Sequence, residues 1–171
     1  NGRLHTTFKQ ALTATGRLSS QDPNLQNIPI KTKLGRQMRK YFIAEEGHTL
    51  VDADYSQIEL RLLAHISNDY TMCEAFKSGA DIHRKTAAAV FGVPEEAVND
   101  EMRKRAKAVN FGIVYGIGDF SLAKDLHISK KEAKNYIASY FSTYPGVYAY
   151  VKKLIADATE NGYAKTMFDR I

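Results

Sequence analysis

The chain has 171 residues, 44% hydrophobic and 25% charged, a globular balance that excludes extensive disorder and a membrane-embedded chain. No run approaches the roughly 20 apolar residues that span a bilayer, and the N-terminal NGRLHTTFKQ lacks a signal-peptide core, so an intracellular location is the default expectation. The net charge of +5 is too moderate to identify a partner, but its distribution is uneven. Residues 1–41 carry Arg3, Lys9, Arg17, Lys31, Lys33, Arg36, Arg39 and Lys40 against the single acid Asp22, which suits a polyanion. Arg103, Lys104, Arg105 and Lys107 form a second cluster, able either to meet phosphates or to serve as a solvated face. The lone Cys73 has no partner for a disulfide or a metal site and is expected to be a small buried hydrophobe.

In chain order, residues 3–18 read as a strand pair or hairpin closing near Gly16. Residues 19–35, SSQDPNLQNIPIKTKLG, read as a polar loop with a turn at Pro23. TLVDADY, 49–55, is predicted to be a short strand that puts Leu50, Asp52 and Asp54 on one face and Val51, Ala53 and Tyr55 on the other. SQIELRLLAHIS then turns helical, with Ile58, Leu62 and His65 or Ile66 at helical spacing and Ser56 as N-cap. Residues 69–160 read as several helices divided at Gly79, Gly92-Val93-Pro94, Gly116 and Pro145-Gly146, with Asp81, Asp100 and Ser129 as caps. GYAKTMFDRI, 162–171, reads as the start of another strand.

A carboxylate at the end of the 49–55 strand is suited to a hard cation such as Mg²⁺, or simply to the N-terminus of the next helix. Spacing does not choose between Asp52 and Asp54. On the helix from Glu101 to Tyr115, Arg103, Lys107, Phe111 and Tyr115 recur at every fourth residue. The stripe drifts by only about 120° from first to last. Cations at one end and aromatics at the other suit a nucleoside triphosphate, phosphates first and sugar and base after; the plainer alternative is an amphipathic helix that buries Phe111. Gly112 inside this helix costs about 1 kcal/mol relative to Ala and points to close packing or a hinge. GIGDF, 116–120, follows a helix and lacks a third glycine, which argues against a dinucleotide site. Walker A, H-E-x-x-H and G-x-S-x-G patterns are missing from the sequence, so phosphoryl chemistry or binding remains.

Four strings, TATGRLSSQDPNLQNIP (13–29), DYSQIELRLLAH (54–65), DIHRKTAAAVFG (81–92) and RKRAKAVNFGIVYG (103–116), together resemble family A DNA polymerases of the bacterial DNA polymerase I type. The resemblance covers essentially the whole chain, in that family's order and spacing. It implies an α+β fold: a partial antiparallel palm sheet with a mostly α-helical fingers subdomain. Residues 1–67 would be the N-terminal part of the palm, 68–160 the fingers, and 161–171 a return towards the palm.

The resemblance also implies roles. Asp54 would be the first catalytic aspartate, holding Mg²⁺ with the backbone carbonyl of Tyr55. Gln57 would lie beside the triphosphate, and Glu59 would pack under the sugar and exclude a 2′-OH. His83 would donate to the triphosphate, Arg103 and Lys107 would clamp its phosphates, Phe111 would pack on the sugar, and Tyr115 would stand by the templating base. Arg17 would contact the primer terminus in the minor groove, where acceptors are nearly common to all base pairs; Asn24, Gln26 and Asn27 would touch primer and template backbones.

The implied reaction, in DNA replication and repair, is transfer of a deoxynucleotide from a dNTP to a primer 3′-end on template DNA with two Mg²⁺ ions, in the bacterial cytoplasm at the nucleoid. The family's second metal-binding aspartate, in a later His-Asp motif, has no counterpart here. The expectation is therefore a segment that works with the remainder of a polymerase chain and is inactive alone, the alternative being a non-catalytic nucleotide- and DNA-binding module.

Overall fold

A computed structural model describes residues 2–30 and 32–171; Lys31, one of the basic residues counted above, lies outside them. The chain divides into two compact units, one ending at Asp54 and one running Tyr55–Ile171.

In the first unit, β1 (Thr7–Lys9) and β2 (Ser19–Gln21) form a two-stranded antiparallel sheet, pairing Thr7 with Gln21, Phe8 with Ser20 and Lys9 with Ser19. The turn expected near Gly16 is present, with the Gly16 amide donating to the Thr13 carbonyl at 3.3 Å. The second strand lies at 19–21, inside the stretch read as polar loop. Backbone pairing does not require apolar side chains, and here Ser20, 3% exposed, supplies both a ladder residue and a buried hydroxyl. A short helix α1 (Lys33–Met38) follows, its first turn capped by the Thr32 hydroxyl, which accepts from the Gly35 amide.

The strand expected at 49–55 does not form. Among the described residues no segment pairs with it, and Leu50, Val51 and Tyr55 are 64%, 87% and 80% exposed. A period-two pattern specifies which side chains share a face; a strand also needs a neighbour to complete its ladder. The strand start expected at 162–171 is likewise a turn, closed by the Thr166 amide on the Arg170 carbonyl at 2.8 Å.

The second unit is helical: α2 (Ile58–Ser67), α3 (Tyr70–Lys77), α4 (Ile82–Phe91), α5 (Asp100–Val114), α6 (Asp119–Leu126), α7 (Lys130–Thr143) and α8 (Pro145–Asn161). Asp81 caps α4, and Ser129 caps α7 through a reciprocal box with Glu132, as their side-chain chemistry predicts. Two caps differ from expectation by one residue. Asn99, not Asp100, accepts from the Met102 amide ahead of α5. Ahead of α2 the cap position is Gln57 in a left-handed conformation (φ 56°, ψ 40°), and Ser56 instead offers its carbonyl to Arg61 Nε at 2.9 Å.

The inward face of α2 is Leu60 and Ala64, buried among the helices, while Ile58, Leu62 and Ile66 remain 38–40% exposed. This packing places α2 in the helical unit, which begins at Tyr55. Cys73 is partly buried, its thiol donating to the Ala64 carbonyl at 3.3 Å. The core runs from Leu60, Met72 and Ile82 through Val109, Ile113 and Leu122 to Tyr140, Tyr144 and Val147. Among the described residues no helix is long and apolar enough to cross a membrane.

Candidate nucleotide and nucleic-acid sites

In the first unit, the loop after β2 is ordered by its own polar side chains. Ser20 Oγ donates to Asn24 Oδ1 at 2.9 Å, Gln26 Nε2 donates to the Leu18 carbonyl at 3.1 Å, and Gln26 Oε1 accepts from the Ser20 amide at 3.0 Å. Asn24 and Gln26, two of the expected DNA contacts, thus also shape the loop that presents them. Arg17 and Asn27 are exposed. Thr13 Oγ1 donates to the Arg17 carbonyl at 2.7 Å, fixing the backbone from which that guanidinium projects. Asp52 and Asp54 are exposed. Oxygen donors of this type are the kind Mg²⁺ takes, but among the described residues no group of three or more His, Cys, Asp or Glu side chains gathers to hold a metal ion.

In the second unit, Tyr55 is exposed and Gln57 and Glu59 are half-buried. Gln57 holds a left-handed conformation without being glycine, a strain of about 1–3 kcal/mol that the surrounding structure must maintain. It thereby sets the direction in which α2 starts, and with it the position of Glu59 in the first turn.

The main constellation is made by α4 and α5. The His83 and Phe111 rings lie 6.0 Å apart, and Lys107 Nζ stands 5.8 Å from the Phe111 ring centre. Arg103 Nε donates to Asp81 Oδ2 at 2.6 Å, while Asp81 Oδ1 accepts the amides of His83 and Arg84. Arg103, Lys107 and Phe111 of α5 are thereby brought beside His83 of α4, some twenty positions earlier in the chain. Tyr115, just past the end of α5, is 64% exposed. His83 is only 2% exposed.

The electrostatics follow from this packing. Burial pushes the Asp81 carboxyl up, but Arg103 and the backbone N–H groups of Arg84 and His83 outweigh it and hold it below its usual range. Burial lowers the His83 pKa below its ordinary value; Asp81 opposes that shift, and the positive charges of Arg103 and Lys107 reinforce it. His83 is thus a neutral imidazole at neutral pH, flanked by two cations.

Beneath it lies a polar network that sequence reading did not find. Asn110 Nδ2 is 3.1 Å from His83 Nδ1 and 3.1 Å from Thr86 Oγ1, and Thr86 Oγ1 is 3.0 Å from the Tyr144 hydroxyl. Thr86, Asn110 and Tyr144 are fully buried. Burial pushes the Tyr144 phenol up to about 12. The close packing expected at Gly112 is also present: a Cβ there would lie 2.5 Å from Ile117 Cγ2.

The chain belongs to DNA polymerase family A, whose sequence model matches residues 1–171. It is 58% identical over 99% of its length to the DNA polymerase I of Caldicellulosiruptor bescii, covering 20% of that protein. It is 53% identical to that of Pseudomonas aeruginosa (99% of the chain, 18% of the relative) and 52% identical to the thermostable DNA polymerase I of Thermus aquaticus (99% and 20%). The chain therefore spans about a fifth of the length of these curated relatives. Among solved structures, the POL domain of Pol1 from M. smegmatis, in complex with DNA primer-template and dNTP, matches with a TM-score of 0.88 at 45% identity, over 99% of this chain and 30% of that one.

Proposed function

We propose that this chain forms the nucleotide-binding part of a template-directed DNA polymerase, one that transfers a deoxynucleotide from a dNTP to a primer 3′-end. The observation that carries this reading is the convergence of α4 and α5, which puts Arg103, Lys107 and Phe111 beside the buried His83 in a chain of this family. Arg103 binds the phosphates as a fork and Lys107 as a point charge. His83 adds a neutral donor, Phe111 packs on the sugar, and Tyr115 borders the templating base. Gln57 and Glu59 flank the triphosphate and sugar, with Glu59 occupying the space a 2′-OH would need. Arg17, Asn24, Gln26 and Asn27 hold primer and template, partners that the solved relative also carries. In this reading residues 1–67 belong to the palm and 68–160 to the fingers, acting at the bacterial nucleoid.

Asp54 offers a carboxylate and Tyr55 a backbone carbonyl, oxygen donors that fit Mg²⁺ in kind. Bound Mg²⁺ would neutralise triphosphate charge and lower the pKa of the primer 3′-OH. Two-metal sites, polymerases among them, hold their ions about 3.5–4 Å apart between several carboxylates. In this reading the chain binds nucleotide and DNA and acts with the remainder of a polymerase in catalysis. Primer extension tests both statements. In a full polymerase carrying this segment, Asp54→Asn is expected to abolish extension of a labelled primer with Mg²⁺ and all four dNTPs. The 171-residue chain alone is expected to extend nothing. Undiminished extension by the substituted polymerase contradicts the role of Asp54, and extension by the chain alone contradicts its dependence on other parts.

A further inference from the structure

The hydrogen-bond network beneath His83 admits a proton assignment. Thr86 has one hydroxyl proton and three oxygen neighbours besides the Asn110 amide nitrogen. Its Oγ1 lies 2.8 Å from the Ile82 carbonyl, 3.2 Å from Asn110 Oδ1 and 3.0 Å from the Tyr144 hydroxyl. A carbonyl cannot donate, so the shortest of these contacts takes the Thr86 proton. The remaining lone pairs of Oγ1 then accept from Tyr144 O–H and from one N–H of the Asn110 amide, whose Nδ2 is 3.1 Å away. The second N–H of that amide has one partner, His83 Nδ1 at 3.1 Å. An amide N–H facing this nitrogen requires a lone pair on it, so the imidazole proton must sit on Nε2.

We infer that Asn110 is a positioning residue that locks His83 in its Nε2–H form, backed by Thr86 and Tyr144, so that the ring presents a neutral N–H donor and never an acceptor on its outer edge. Every proton of the buried cluster then has an acceptor, as a fully enclosed polar network demands. The charged groups around His83 agree with a neutral ring: Asp81 from the α4 cap favours protonation, whereas burial together with Arg103 and Lys107 of α5 opposes it. The value of such a lock for phosphate recognition rests on the nucleotide reading above. An Nδ1–H tautomer would turn a lone pair outward and repel an anionic oxygen; an Nε2–H donor attracts it without adding a third charge.

The tautomer is measurable without any ligand. In long-range ¹H–¹⁵N correlation spectra of the unaltered protein at pH 7.5, His83 is expected to show a protonated Nε2 and an unprotonated Nδ1, and on titration to protonate below its ordinary value of 6.5. In Asn110→Asp the new carboxylate accepts from Nδ1–H, and the His83 pKa is expected to rise by about 1–3 pH units, the usual effect of an adjacent opposite charge. A role confined to packing would alter the melting temperature and leave tautomer and titration unchanged. An Nδ1–H tautomer in the unaltered protein overturns the inference, as does a folded Asn110→Asp protein whose His83 titrates as before. If that variant does not fold, the tautomer of the unaltered protein decides alone. Adding dGTP is the separate test of the nucleotide reading: a shift of Nε2 supports phosphate contact, and its absence contradicts that contact while the lock stands.

Discussion

Replacing Asp81 by Asn removes the charge that holds Arg103 while keeping a carbonyl oxygen for the α4 cap. In the native protein Oδ1 accepts the His83 and Arg84 amides at 3.0 and 3.2 Å, and Oδ2 accepts Arg103 Nε at 2.6 Å. The Asn carbonyl can keep both cap bonds, so the loss is confined to the ion pair. Its side chains are 39% and 34% exposed, which limits its worth to about 0.5–1 kcal/mol after solvent screening. If Arg103 has to leave Asp81 before it meets a phosphate, the same free energy opposes nucleotide binding. Its removal should then tighten dGTP binding up to about fivefold, the equivalent of roughly 1 kcal/mol. Isothermal titration with dGTP and Mg²⁺ reads the affinity, and urea denaturation reads the stability, expected to fall by no more than about 1 kcal/mol. Weaker dGTP binding by a stably folded Asp81→Asn protein would refute the competition and make Asp81 a support that aims Arg103.

Three further outcomes follow from the packing. Tyr140 is fully buried and its hydroxyl has no hydrogen-bond partner among the described residues, so Tyr140→Phe should leave stability unchanged or raise it by about 1 kcal/mol, as read by urea denaturation; a clear loss would show that the hydroxyl is paired. Gly146→Ala would place a Cβ 2.8 Å from Asp69 Cα and 3.0 Å from its Oδ2, the atom that accepts the Gly146 amide at 2.8 Å. It should cost about 1–3 kcal/mol, and a melting temperature equal to the native one would contradict the close approach of α8 to the α3 cap. Asp81 and His83 both have folded pKa values below their unfolded ones, so the unfolded chain binds more protons and stability rises with pH through each window. The His83 contribution is complete above about pH 6.5 and lost as pH falls through its lowered value, and that of Asp81 is lost only in stronger acid. Urea midpoints should therefore be lower at pH 5 than at pH 7.5, and equal midpoints would count against a neutral buried His83.

What was legible in the sequence divides along physical lines. Caps at Asp81 and Ser129 were readable because a short polar side chain before an apolar run has one dominant use. The cation-aromatic stripe of α5 was readable because it lies on one helix with one period. Long-range pairing was not. The 49–55 segment alternates like a strand, yet nothing local specifies a partner for its ladder. The α2 segment is apolar around most of its circumference, at Ile58, Leu60, Leu62, Leu63, Ala64 and Ile66, so spacing alone did not show that Leu60 and Ala64 face inward. The cluster of Thr86, Asn110 and Tyr144 joins three separate helix segments, Thr86 and Tyr144 lying 58 positions apart. Each of these residues is unremarkable in sequence, and only the crossing of α4 and α5 with the α7–α8 junction brings them together.

A nucleotide-phosphate site on α4 and α5 is tested most sharply by isothermal titration of dGTP and Mg²⁺ into the native protein and into an Arg103→Ala, Lys107→Ala double variant. Each substitution removes a charge-assisted contact worth about 1.5–3 kcal/mol. Because Lys107 is exposed and Arg103 half-buried, the fold should survive, with a melting temperature within a few degrees of the native value. Measurable dGTP binding is expected for the native protein, with a loss of at least about a hundredfold in the variant. Equal affinity in the two proteins would contradict it.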